Sequence, residues 1–131
     1  DGTYSVGLEY AKFLEKLLIE HEKSNAMGHN HSKHKIIIGD CIHTIPHFFL
    51  KNPNQVLSLV FIDINSFDPL NKVIDQLWER IVPGGILAFW QLTRESIMAE
   101  GQVYFEKIQN KHMHKLIQSE IYPGLCYLIK R

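Results

Sequence analysis

One stretch constrains the fold more than any other. It runs Leu57-Ser-Leu-Val-Phe-Ile-Asp63-Ile-Asn65, crosses an amphipathic helix, and returns through Pro83-Gly-Gly-Ile-Leu-Ala-Phe89-Trp90-Gln91. Both runs carry apolar side chains at successive rather than strictly alternating positions, the pattern of strands covered on both faces, as in parallel sheets. A strand, a helix and a second strand in this order read as a right-handed crossover unit. In open α/β sheets, ligands collect outside the carboxyl ends of the strands. Asp63, Asn65, Trp90 and Gln91 therefore stand where a site is expected.

The rest of the chain fits around this unit. Leu8, Ala11, Leu14, Leu17, Leu18 and His21 recur at helical spacing against Glu9, Lys12, Glu15, Lys16, Glu20 and Glu22, predicting an amphipathic helix of about four turns. Ile36-Ile37-Ile38 predicts a short β-branched strand closed by Gly39-Asp40. Residues 43–51 predict a helix, and 56–64 the first long strand. Asp68-Pro69 predicts a helix start, with a capping carboxylate and Pro at the first helical position. Val73, Ile74, Leu77, Trp78 and Ile81 would form its apolar face. Residues 86–92 predict the second long strand, 101–109 a weaker helix, and 115–130 a hairpin turning at Tyr122-Pro123-Gly124. The order is that of a mostly parallel α/β sheet ending in an antiparallel hairpin.

Composition narrows the function classes. The 131 residues allow one domain at most. Lys plus Arg and Asp plus Glu both number 14, a net charge of zero, so no nucleic-acid footprint is expected. No apolar run is long enough to span a bilayer, so no membrane partner is expected either. Cys41 and Cys126 lie far apart and outside any C-x-x-C context, which favours a reduced, cytoplasmic setting. The start at Asp1, within a loop-like stretch, is read as a piece of something longer.

Ile38-Gly39-Asp40, Phe61-Ile62-Asp63 and Val82-Pro83-Gly84-Gly85-Ile86, in that order and spacing, resemble the C-terminal portion of a class I S-adenosylmethionine-dependent methyltransferase. Within that class the chain is most similar to the macrocin O-methyltransferase family of sugar and natural-product enzymes. The likeness is carried by Tyr4-Ser5-Val6 before a long helix, Gly39-Asp40 followed by Thr44-Ile45-Pro46, Ile62-Asp63 followed by Asp68-Pro69, and the Pro-Gly-Gly turn. It covers nearly the whole chain. It implies a single partial domain over residues 1–131 with a Rossmann-like methyltransferase fold, whose N-terminal part, including the Gly-rich cofactor loop, lies outside this sequence.

The resemblance also implies roles. Asp40 would lie on the adenine side of S-adenosylmethionine, with Cys41 directly beside it. Asp63 would be a metal ligand, and position 65 the general base. A hard cation needs several oxygens and lowers the pKa of a bound hydroxyl, and a nearby carboxylate then takes the proton. Here the base position is Asn65 and the family's acidic pair is Trp90-Gln91. One carboxylate and two amides make a poor magnesium site, so the cation is doubtful while Asp63 and Asn65 remain the candidate catalytic pair. Trp90 could stack on a ligand or plug a vacated metal pocket.

The implied reaction is methyl transfer to a hydroxyl of a sugar or small metabolite, with activity in question because the metal and base residues are replaced. Two rivals stand beside it: a non-catalytic methyltransferase-like binding or scaffold module, and another Rossmann-like enzyme that uses Asp63 for nucleotide-sugar binding. Assembly into a homo-oligomer is left open. His29, His31 and His34 read as a solvated loop, with zinc the minor alternative. His43 and His47 read as a surface pair, and Asp68 as a cap rather than a ligand.

Overall fold

The computed structural model describes residues 7–24, 33–94 and 99–131. The chain divides into two compact units, residues 1–39 and 40–131.

In the first unit, α1 spans Leu8–Lys23, with Glu9 in its first turn and His21 and Lys23 in its last, the placement that complements the helix dipole. His34 folds back onto this helix. Its Nδ1 lies 2.7 Å from Glu22 and its Nε2 3.1 Å from Glu15. The Glu22 and Glu15 carboxylates raise the imidazole's pKa, and the His34 contact lowers that of Glu22. The expectation of a freely solvated His34 is corrected accordingly; His29 and His31 lie outside the described residues. Ile36-Ile37-Ile38 is not a strand. A β-strand requires a hydrogen-bonded neighbour, and none of the strand pairings includes this segment.

The second unit contains α2 (Cys41–Lys51), β1 (Leu57–Ile62), α3 (Phe67–Arg80), β2 (Ile81–Phe89), α4 (Ala99–Val103) continued by a π-helical turn over Tyr104–Ile108, β3 (His114–Gln118) and β4 (Cys126–Lys130). The sheet order is β1-β2-β4-β3. β1 and β2 are parallel, with Ile62 level with Phe89, while β4 is antiparallel to both β2 and β3. The closing hairpin is present as expected, but the expected parallel majority is reduced to one parallel pair.

α3 begins at Phe67, two residues earlier than Asp68-Pro69 suggests. Ser66 is its N-cap residue and makes no side-chain cap bond, and Asp68 falls in the first turn. Proline lacks an amide donor but tolerates the first turn, where that donor has no intrahelical partner. The buried face is Leu70, Val73, Ile74, Leu77 and Trp78, and it packs with Leu87, Phe89 and Leu128 in the core.

β2 opens at Ile81 rather than at residue 86, because the chain loops out through Val82-Pro83-Gly84-Gly85 between two points of register with β1, Leu57–Ile81 and Leu59–Ile86. Gly84 has φ +80°, a left-handed conformation that favours glycine. At Gly85 a Cβ would meet Ile81 Cγ2 at 2.7 Å and Val82 O at 2.9 Å, so the bulge closes only without a side chain.

Candidate functional site

The carboxyl ends of β1 and β2 gather the candidate residues. The register that sets Ile62 beside Phe89 continues one step, with the Trp90 amide donating to the Ile62 carbonyl at 3.0 Å. Trp90 is thereby level with Asp63. Along the end of β1, Ile62 is buried and Ile64 half-buried, while Phe61, Asp63 and Asn65 are exposed. That alternation puts Phe61 and Asp63 on one side, with Asn65 exposed just beyond the strand's end.

Trp90 is 36% exposed, and its ring touches two others in tilted contacts: Tyr122 at 4.7 Å and Phe61 at 6.0 Å between centroids. Tyr122 comes from the β3–β4 turn. The turn is bound to the end of β2 by the Leu92 amide on the Gly124 carbonyl (3.0 Å) and by Thr93 Oγ1 on the Pro123 carbonyl (2.9 Å). Gly124 leaves the space the Tyr122 ring occupies, since a Cβ there would lie 2.6 Å from it.

Beside these residues lies a carboxylate that the sequence reading missed. Glu100, on α4, is fully buried, and its Oε2 accepts the Gln91 amide at 2.7 Å. Its Oε1 and the Oε1 of the buried Gln91 have no protein hydrogen-bond partner. Burial pushes the Glu100 carboxyl up to about 7; the Gln91 and Ile64 amides pull it down, and the Asp63 carboxylate pushes it further up. Asp63 and Glu100 therefore share an electrostatic environment even though only Glu100 is withdrawn from water. The available signal was periodicity: Glu100 is in helical phase with the buried Val103 and Tyr104, so it falls on the buried face.

Asp40 and Cys41 stand apart, at the start of α2. Asp40 is the N-cap of α2, its Oδ1 accepting the Ile42 amide at 2.9 Å, and its side chain is exposed. The Cys41 thiol is pushed up, first by burial and then by the Asp40 carboxylate, the opposite of what a reactive cysteine needs. Cys126 is buried, and burial raises its thiol as well.

The donor set at the strand ends does not fit a divalent cation. Trp90 contributes no oxygen, and among the described residues no three His, Cys, Asp or Glu side chains gather in a metal-holding group. Asp40 fits a cofactor contact better, since one of its oxygens caps α2 and the side chain remains open to solvent.

No protein-family model matches the chain, and no curated protein sequence does. Solved structures do. The apo structure of CalS11, a TDP-rhamnose 3'-O-methyltransferase of calicheamicin biosynthesis, matches with a TM-score of 0.84 at 25% identity, over 97% of this chain and 55% of that one. A second CalS11 structure, described as a calicheamicin methyltransferase, matches with a TM-score of 0.87 at 25% identity, over 98% of this chain and 50% of that one. The chain thus spans about half the length of sugar O-methyltransferases whose fold it shares.

Proposed function

We propose that this chain is the C-terminal portion of an S-adenosylmethionine-dependent sugar O-methyltransferase of the macrocin-like type, with the metal and base residues replaced. The observation that carries this reading is the likeness to CalS11 over 97–98% of the chain. S-adenosylmethionine would supply the methyl group. Asp40 would meet the adenine side of the cofactor, with Cys41 packed beside it rather than reacting. Asp63 and Asn65 would hold the acceptor hydroxyl, the carboxylate accepting its proton in a hydrogen bond and the amide orienting it. No step is assigned to magnesium, because the donor set does not fit it. The acceptor class is a sugar, and a cytoplasmic location accords with two free thiols at Cys41 and Cys126.

A second reading, a non-catalytic binding or scaffold module, is favoured by one specific observation: an amide, Asn65, and an aromatic, Trp90, occupy positions where the resemblance requires acids. One experiment separates the two. S-adenosylmethionine binding to the full-length protein is measured by calorimetry, and methyl transfer to TDP-rhamnose is followed with and without magnesium. Weak cofactor binding that magnesium does not change is the expected result. Tight binding with magnesium-stimulated turnover would overturn the loss of the metal site. Absence of both binding and turnover would favour the scaffold.

A further inference from the structure

The aromatic cluster at the sheet edge, Phe61, Trp90 and Tyr122, lies outside the hydrophobic core. Trp90 and Phe61 keep 36% and 55% of their surface open, on the opposite face from the buried Phe89 and Ile62. Their edge is polar where it meets solvent: Asp63 follows Phe61 on the same side at the end of β1, level with Trp90, and the exposed Asn65 lies two residues on. Aromatic rings and planar, hydrogen-bonding side chains therefore come together at one edge of the sheet. The chain also spends a glycine on it, because Gly124 is what lets Tyr122 fold against the Trp90 ring.

This pairing selects a ligand with two unlike faces. The π-face of an aromatic ring carries negative charge and attracts the slightly positive C–H bonds of a flat aliphatic ring. A carboxylate and an amide at the margin accept from and donate to hydroxyls. A pyranose ring presents that combination: axial C–H bonds on one face and hydroxyls around its rim. A flexible polyol has the hydroxyls without the rigid face, and a purely apolar ligand would leave Asp63 without a partner.

We propose that Trp90, supported by Phe61 and Tyr122, is a stacking platform for the sugar ring of the acceptor, with Asp63 and Asn65 reading its hydroxyls. The proposal rests on the sugar-methyltransferase reading for its ligand class but not for its geometry. On this view Trp90 does not plug a vacated metal pocket. It replaces cation-mediated orientation of the acceptor with orientation by contact.

The test uses tryptophan emission of the full-length protein. Trp78 is core-buried, and subtracting the Trp90→Phe variant's iodide quenching isolates the contribution of Trp90. Methyl α-rhamnopyranoside is titrated in, with sorbitol as the ringless control. The expected result is that the glycoside protects Trp90 from iodide and shifts its emission, whereas sorbitol does neither. Trp90→Ala should weaken glycoside binding, followed by calorimetry, about tenfold, and Trp90→Phe should restore part of it. Phe61→Ala, at a half-exposed position, provides the same readout if Trp90→Ala does not fold. Equal protection by sorbitol, unchanged affinity in these variants, or a Trp90 already closed to iodide before ligand is added would each overturn the platform. Glycoside binding without S-adenosylmethionine binding would retain the platform and sink the methyltransferase reading; methyl transfer with unresponsive Trp90 would do the reverse.

Discussion

At the scale of single residues, Glu100 has the largest consequence outside the proposed platform. Its carboxyl is pushed from an ordinary 4.5 up to about 7, chiefly by burial. The fold therefore favours its protonated form. That preference contributes stability at low pH and is lost as pH rises through about 4.5 to about 7; above that, the buried charge is carried in full. The shift corresponds to about 3 kcal/mol at most. Glu100→Gln keeps an acceptor for the Gln91 amide and removes the charge. The variant should match the wild type near pH 4 and exceed it by roughly 1–3 kcal/mol near pH 8, measured by chemical denaturation. The His34 pair with Glu22 and Glu15 titrates in both proteins and cancels in the difference. A stability difference that is the same at both pH values would show that Glu100 does not carry this linkage.

At the scale of elements, the joints between them carry as much as their interiors. Lys130, at the end of β4, donates to the carbonyls of Trp78 (2.8 Å) and Ile81 (2.7 Å) and lies over the Trp78 ring at 5.5 Å. Those carbonyls belong to the last turn of α3 and the first residue of β2, where a helix leaves acceptors unpaired and favours a cation. Lys130→Met keeps the aliphatic stem but strands both acceptors, so a loss of about 1–3 kcal/mol is expected in a denaturant midpoint. A midpoint within error of the wild type would assign the joint to packing alone. Elements of this kind were legible where periodicity was strong. α3, both long strands and the hairpin follow directly from their apolar spacing and from Pro-Gly punctuation. Ile36-Ile37-Ile38 was not legible, because β-branched residues specify an extended backbone but not the neighbour that makes it a strand. The start of α3 shifted for a related reason: Pro69 is allowed throughout the first turn, so it marks a helix beginning without fixing its first residue.

At the scale of the whole molecule, the strand ends were legible because the α/β crossover dictates where they emerge. Asp63, Trp90 and Gln91 could be placed from the two apolar runs alone. Glu100 could not, because it reaches the same edge from α4 through tertiary packing, and only its phase with Val103 and Tyr104 hinted at burial. With Glu100 added, the edge holds two carboxylates, but one is withdrawn among backbone amides and is held toward its protonated form. The edge consequently lacks the several open oxygens that a hard cation requires. A cation that binds only the folded state stabilises it by mass action, and a site with a dissociation constant of about 1 mM would add about 1.4 kcal/mol at about 10 mM magnesium. That gain would raise the thermal midpoint by several degrees. The midpoint at pH 7.5 should instead be the same with magnesium or with an equal ionic strength of potassium chloride. A magnesium-specific rise that disappears in Asp63→Asn would show that the edge assembles a cation site after all, and the orientation of the acceptor would then have to be reassigned from Trp90 to the metal.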